Sequence, residues 1–175
     1  LELRARRTEF LGIFDPACMA LGRWWARSTA RRSCRGGYGV LPVPAELPGA
    51  LDALDAMLDG SRSAFETFLR IPLPARKRNI ELDWKDYDDL GYLSGHSVGE
   101  AEGAMFDALV QTHASLDIPL IVLSAGQLDA PQLGELFYFL ELTAALCAAT
   151  DGLNPFDRKR TSPTSAGRRA AARLR

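Results

Sequence analysis

The chain has 175 residues, 47% of them hydrophobic and 25% charged, which suits one soluble globular domain or a large piece of one. Its three cysteines, Cys18, Cys34 and Cys147, are an odd set without C-x-x-C spacing, which argues against a disulfide framework or a zinc site and for a reducing compartment. The formal net charge of -1 hides an asymmetry: residues 1–35 carry eight Arg against three acids, residues 158–175 carry seven Arg/Lys and no acid, and the stretch between holds 6 basic against 19 acidic residues. Basic flanks can signal nucleic acid, but these lack aromatic interleaving or a nucleic-acid fold motif, so no such partner is expected.

The N-terminus has no apolar signal segment, and because its first residue is Leu1 the chain is expected to be a fragment. From Phe10 to Ala26 the apolar spacing predicts a helix opening at Asp15-Pro16, where Asp can cap and Pro is tolerated. Residues 27–35 lose the pattern. Gly36-Gly37-Tyr38-Gly39 leads into a short extended piece at Val40-Leu41-Pro42. Leu47, Leu51, Leu54 and Leu58 share one helical face, which Gly60 would close. Ala64–Ile71 is aromatic and β-branched enough for a strand. After a polar, Pro-containing connection over 72–86, Val98–His113 reads as a helix with Ala101, Met105, Leu109 and Val110 on one face. Ile118–Leu123 is a continuous apolar run, as expected of a strand covered on both sides. Asp129-Ala130-Pro131-Gln132 resembles a capping box at the start of a long helix ending near Gly152. The apolar part of that helix, Leu133–Ala149, contains Glu135 and Glu141 and is expected to be a buried amphipathic helix short of a membrane span. Helices alternating with short strands predict an α/β fold, and 158–175 is expected to be a disordered basic tail.

Gly95-His96-Ser97-Val98-Gly99 matches G-x-S-x-G, the strained turn that exposes a hydrolase serine. That chemistry needs an acid and a histidine downstream. The one later histidine, His113, falls at the far end of the same predicted helix, roughly 24 Å from Ser97 at 1.5 Å per residue. The segment therefore reads first as a helix entry, with a serine hydrolase at Ser97 as the alternative. His96 and His113 lack metal-ligand spacing, and Asp86, Asp88 and Asp89 lack the glycine and terminal glutamate of a calcium loop. No glycine-rich phosphate loop is present, so no metal, nucleotide or other cofactor is expected.

Several segments in register resemble the C-terminal part of bacterial glucose-6-phosphate isomerases: Trp24-Trp25, Gly37–Pro42 (GYGVLP), Gly60–Thr67 (GSRSAFET), His113 with Pro119, and Asp151–Asp157 (DGLNPFD) after the long helix. The resemblance spans about residues 10–157. It implies an α/β fold of the sugar-isomerase (SIS) type, a parallel sheet with flanking helices, here the incomplete C-terminal portion. It further implies a cytoplasmic, cofactor-free homodimer that interconverts glucose 6-phosphate and fructose 6-phosphate in glycolysis and gluconeogenesis. Residues 1–157 would be the isomerase-like segment and 158–175 a separate tail. The family moves a proton between C2 and C1 through an enediol, with a Glu in E-S-x-G-K as its base, and a His in L-H-S-x-G-Q and a Lys in Q-P-G-[IV]-E-x-x-K assisting. Counted from the matched segments, those positions fall on Arg31, on Leu51 or Asp52, and on Ser165. No catalytic residue is carried over. The mismatches are local (27–36, 43–56 and 158–175), and 18 Arg against three Lys suggests GC-rich codons read out of frame. Translating the coding DNA in the other two frames tests this; absence of E-S-x-G-K and Q-P-G-V-E from both rules it out.

Overall fold

A computed structural model of the chain describes residues 7–32, 39–52, 64–71, 79–81, 85–126 and 129–156. Four parallel strands form one sheet: β1 (Thr8–Ile13), β2 (Leu41–Glu46), β3 (Ala64–Arg70) and β4 (Leu120–Ser124), in the spatial order β2-β1-β3-β4. Three long helices accompany it: α1 (Met19–Arg32), α2 (Val98–Ser115) and α3 (Ala130–Thr150). The expected parallel sheet with flanking helices is what the chain builds.

The first strand corrects the sequence reading. Phe10, Leu11 and Ile13 belong not to a helix approach but to β1, which pairs with β2 on one side and β3 on the other. Alternate β1 residues bury into opposite faces, Phe10 into one and Leu11 and Ile13 into the other, as in a strand covered twice. The helix does open where expected. Asp15 Oδ1 accepts the Ala17 N–H at 2.9 Å, and a 3-10 turn over Pro16–Cys18 leads into α1. That helix continues through Arg32, past the point where its apolar pattern stops. Arg and Ala favour helix there, Thr29 is buried, and the Ser28 hydroxyl donates to Glu141 Oε1 at 3.0 Å, tying α1 to α3.

Sheet alternation divides the core in two. Leu11, Ile13 and Leu69 pack with Leu21 and Trp25 of α1 and with Leu136, Leu140 and Ala144 of α3. On the other face Phe10, Ala64 and Phe68 pack with Leu47 and Phe106 of α2. Helix α1 approaches the sheet closely at Gly22, where a Cβ would lie 2.5 Å from Ile13 Cδ1 and 3.0 Å from Pro44 Cβ. The helix expected over 47–60 falls largely outside the described residues, as does the tail 158–175.

Two expectations about burial need correction. β4 is an edge strand with Ile121 and Val122 open to solvent, not a strand covered on both sides. Helix α3 buries Leu136, Leu140, Ala144 and Ala148 but exposes Tyr138, Phe139, Leu142 and Leu146, and its 21 residues are long and apolar enough to cross a membrane by length and composition. It ends as expected: Gly152, at φ +73, turns the chain, and the Leu153 N–H reaches back to the Ala148 carbonyl at 2.8 Å.

Candidate functional site

From β1 the chain moves outward to β2 and then returns past β1 to β3, so the switch in strand order falls between β1 and β3. In open α/β sheets, ligands bind at the carboxyl ends of the strands at such a point. A cleft of about 470 Å³ lies there, lined among others by Phe14 and Asp15 after β1, Arg70 at the end of β3, and Ser97, Glu100 and Phe106 of α2 and its cap.

Every polar group in that cleft with a described bond already has local work. Asp15 caps the turn before α1. Arg70 bonds Asp107 at 3.2 Å, with its guanidinium 4.9 Å from the centre of the Phe106 ring. Ser97 is the N-cap of α2: its Oγ accepts the Glu100 N–H at 3.2 Å and donates to Glu100 Oε2 at 2.9 Å, while the Ser97 N–H donates to the same oxygen at 2.7 Å. The Ser97 backbone N–H, then its hydroxyl, holds the Glu100 carboxyl below the usual glutamate range. Among the described residues, the carboxylates lining the cleft are Asp15, Glu100 and Glu102 and the cation is Arg70.

His113, the other half of the hydrolase pattern, lies at the opposite end of α2. Its Nδ1 is 2.7 Å from Glu66 Oε2, and the two side chains are 3% and 0% exposed. This acid–imidazole pair lies under Phe68, whose ring centre is 6.2 Å from that of His113. It fastens α2 to β3 inside the core. In the sequence, Glu66 stands out only as part of the GSRSAFET segment. On the other face, Glu9 accepts hydrogen bonds from Thr67 Oγ1 at 2.7 Å and Trp25 Nε1 at 3.1 Å. Burial pushes the Glu9 carboxyl above the usual range, against the opposing effect of those two donors.

No group of three His, Cys, Asp or Glu side chains able to hold a metal occurs among the described residues. Asp86 and Asp88 bond the backbone N–H groups of Gly91 and Leu90 within their own turn. Cys18 and Cys147 are free thiols, and burial, then the neighbouring Asp15 and Asp151, raises both above the ordinary value, away from reactive thiolates.

The positions matched to the isomerase acid/base groups are not brought together. Arg31 stands at the end of α1, at the amino-terminal edge of the sheet, whereas Leu51 and Asp52 follow the carboxyl end of β2. Six strand residues separate those edges by roughly 20 Å. Leu51 packs against the α2-side core, Asp52 is exposed, and Ser165 lies outside the described residues.

No family-wide sequence profile matches the chain. It is similar to the glucose-6-phosphate isomerase of Enterococcus faecalis, at 27% identity over 158 residues, 90% of this chain and 35% of that one. That of Staphylococcus epidermidis is 30% identical over 151 residues, 86% of this chain and 34% of that one. Among solved structures, a hypothetical protein from Thermus thermophilus superimposes with a TM-score of 0.83 at 16% identity, covering 98% of this chain and 42% of that one. The fold is therefore shared along the whole chain, and the isomerase resemblance holds along most of it. The chain spans about a third of the length of these isomerases.

Proposed function

We propose that the chain is the C-terminal segment of a glucose-6-phosphate isomerase, cytoplasmic like the family, and that it does not isomerise sugar phosphates by itself. The observation that carries this is the identity of the residues at the three acid/base positions: Arg31, Leu51 or Asp52, and Ser165. Enediol chemistry needs a base that takes a proton and returns it near neutral pH. An arginine stays protonated far above neutral pH and cannot do this. Neither a half-buried leucine nor a serine replaces the assisting His and Lys, and an exposed aspartate at 52 lacks the desolvation that tunes a catalytic carboxylate.

The segment reading assigns residues 1–157 to the isomerase-like body and 158–175 to a separate tail. In the intact protein the substrate would be glucose 6-phosphate or fructose 6-phosphate and the assembly a homodimer. A coupled assay on the purified chain, at concentrations far above those needed for an intact isomerase, should give background turnover in both directions. Turnover above background would overturn the inactive assignment.

A further inference from the structure

The sheet carries α1 and α3 on one face and α2 on the other. Trp24 meets Phe137 edge-on with ring centres 4.4 Å apart, and the Ser28–Glu141 bond joins the same two helices, so α1 and α3 lie side by side. Helices packed in this way have axes about 8–10 Å apart, and their outward ridges stand at one level. Each ridge has its own chemistry. Leu21, Trp25 and Thr29 turn α1 inward, which leaves Arg23 and Arg27, one turn apart, exposed on its outward side. Arg31 continues that spacing in the sequence, and no acid occurs from Met19 to Arg32.

On α3 the outward side is apolar. Tyr138, Phe139, Leu142 and Leu146 fall within an arc of about 100°, with Tyr138 71% and Leu146 57% exposed. Glu135 stands on the same arc one turn before Phe139, so the uncharged stretch starts at Tyr138. Glu141 is turned aside, to Ser28 of α1. Beyond the helix Phe156 is exposed, and Arg158-Lys159-Arg160 begin two positions later, in a stretch (158–175) with seven Arg/Lys and no acid. An apolar strip flanked by cations on both sides is thus built from α3, from α1 and from the sequence that follows.

We propose that this two-helix surface docks on an anionic lipid bilayer, with the outward side chains of α3 entering the boundary between headgroups and acyl chains and Arg23 and Arg27 meeting acidic headgroups. Helix α3 lies along that surface rather than crossing it, because Leu136, Leu140, Ala144 and Ala148 are held in the protein. Stable attachment to a membrane surface takes two signals, and an apolar strip beside a basic patch supplies both. The charge pattern selects the occupant. A second copy brought up by a two-fold axis presents the same arginines and the same apolar ridge, and so puts no matching anions opposite the arginine ridge. A bilayer of acidic lipids offers anions and hydrocarbon a few ångströms apart in depth, and arginine side chains are long enough to reach the headgroups from beside a buried apolar ridge.

The full 175-residue chain should co-sediment with vesicles of mixed phosphatidylcholine and phosphatidylserine at physiological salt, and far less with vesicles of phosphatidylcholine alone. Each cation near such a surface is worth about a fivefold gain in partition, so Arg23→Gln with Arg27→Gln should weaken binding roughly 25-fold. Leu142→Gln with Leu146→Gln should abolish it, with circular dichroism melts confirming that the variant is folded. Tyr138→Gln, at the most exposed position of the ridge, should weaken it several-fold by itself. No binding of the native chain to the mixed vesicles overturns the proposal, as does binding that the leucine and tyrosine substitutions leave unchanged. Tighter binding to single-stranded RNA than to the vesicles overturns it by assigning the arginines to nucleic acid. A discrete dimer that the leucine pair dissociates overturns it by assigning the face to a second copy.

Discussion

Replacing Ser97 with alanine separates the two roles open to the GHSVG segment. The substitution removes the hydroxyl that accepts from the Glu100 N–H and donates to Glu100 Oε2, but leaves the 2.7 Å bond from the Ser97 N–H to that carboxylate. Losing an N-cap costs about 1 kcal/mol, with a range of roughly 0.5–2. Here the freed groups are solvent-exposed and half of the reciprocal box survives, so the lower part of that range applies, about 0.5–1 kcal/mol. For a chain of this length that lowers the melting temperature by roughly 2–4 °C at most. Ser97→Asn should recover most of the loss, because asparagine caps as well as serine while offering no hydroxyl nucleophile. Thermal melts followed by circular dichroism measure all three proteins, and a fluorophosphonate probe should label none of them. Probe labelling of the native chain that Ser97→Ala abolishes would refute the cap assignment and restore the hydrolase. Equal losses in the Ala and Asn variants would refute the capping energetics.

Glu9→Gln should flatten the pH dependence of stability. The folded carboxyl titrates above its unfolded value near 4.5, so the folded state binds the extra proton. Stability from this group is full below that value and is lost as pH rises through the folded one. Glutamine can accept from Trp25 and donate to Thr67, and melts from about pH 4 upward should show the variant gaining on the native chain; a parallel offset would rule out titration of Glu9 as the cause. His113→Ala should lower the urea unfolding midpoint, because it removes the 2.7 Å bond to Glu66 and leaves a cavity where the buried ring packs near Phe68. An unchanged midpoint would argue against a structural role for the pair. Gly22→Ala should destabilise despite a helix-propensity gain of about 1 kcal/mol, because the new methyl overlaps Ile13 and Pro44. A higher unfolding midpoint in that variant would show the α1–sheet packing to be looser than described.

Local signals carry much of the fold. The Asp15-Pro16 helix entry, the strand from Ala64, the helix from Val98 and the Gly152 stop all follow from residue chemistry within a few positions, and all are present. The departure at β1 has a definite cause. Phe10, Ile13 and Phe14 fit helical spacing, while Phe10, Leu11 and Ile13 equally fit a strand buried on both faces, and six residues cannot separate the two patterns. Capping differs from expectation in part: Asp129 accepts the Gln132 N–H as a single cap, and the reciprocal box is Ser97 with Glu100. That box is legible as S-x-x-E, but the G-x-S-x-G pattern over the same residues points toward catalysis instead. The β1/β3 cleft is not legible at all. Asp15, Arg70 and Glu100 are brought together by strand order, which no local spacing encodes.

The run Ile118–Leu123 shows where such reasoning stops for a physical reason. A continuous apolar run encodes the environment the strand requires, and that inference about the residues is sound. Whether the environment exists is a property of everything the strand can touch, and the present chain covers mainly one edge of it. At β2 the position is reversed. Prolines at 42 and 44 close an edge by deleting the donors themselves, so that edge is written into the local sequence and would survive in any assembly. The two ends of the described sheet thus differ: prolines at alternate positions close β2, while β4 carries neither proline nor charge. The same distinction bears on catalysis. Arg31 and Leu51 or Asp52 occupy opposite edges, so even with the family's acid and base restored at those positions, a single copy of this chain would hold them roughly 20 Å apart. Restoring activity would therefore require side chains and neighbours together.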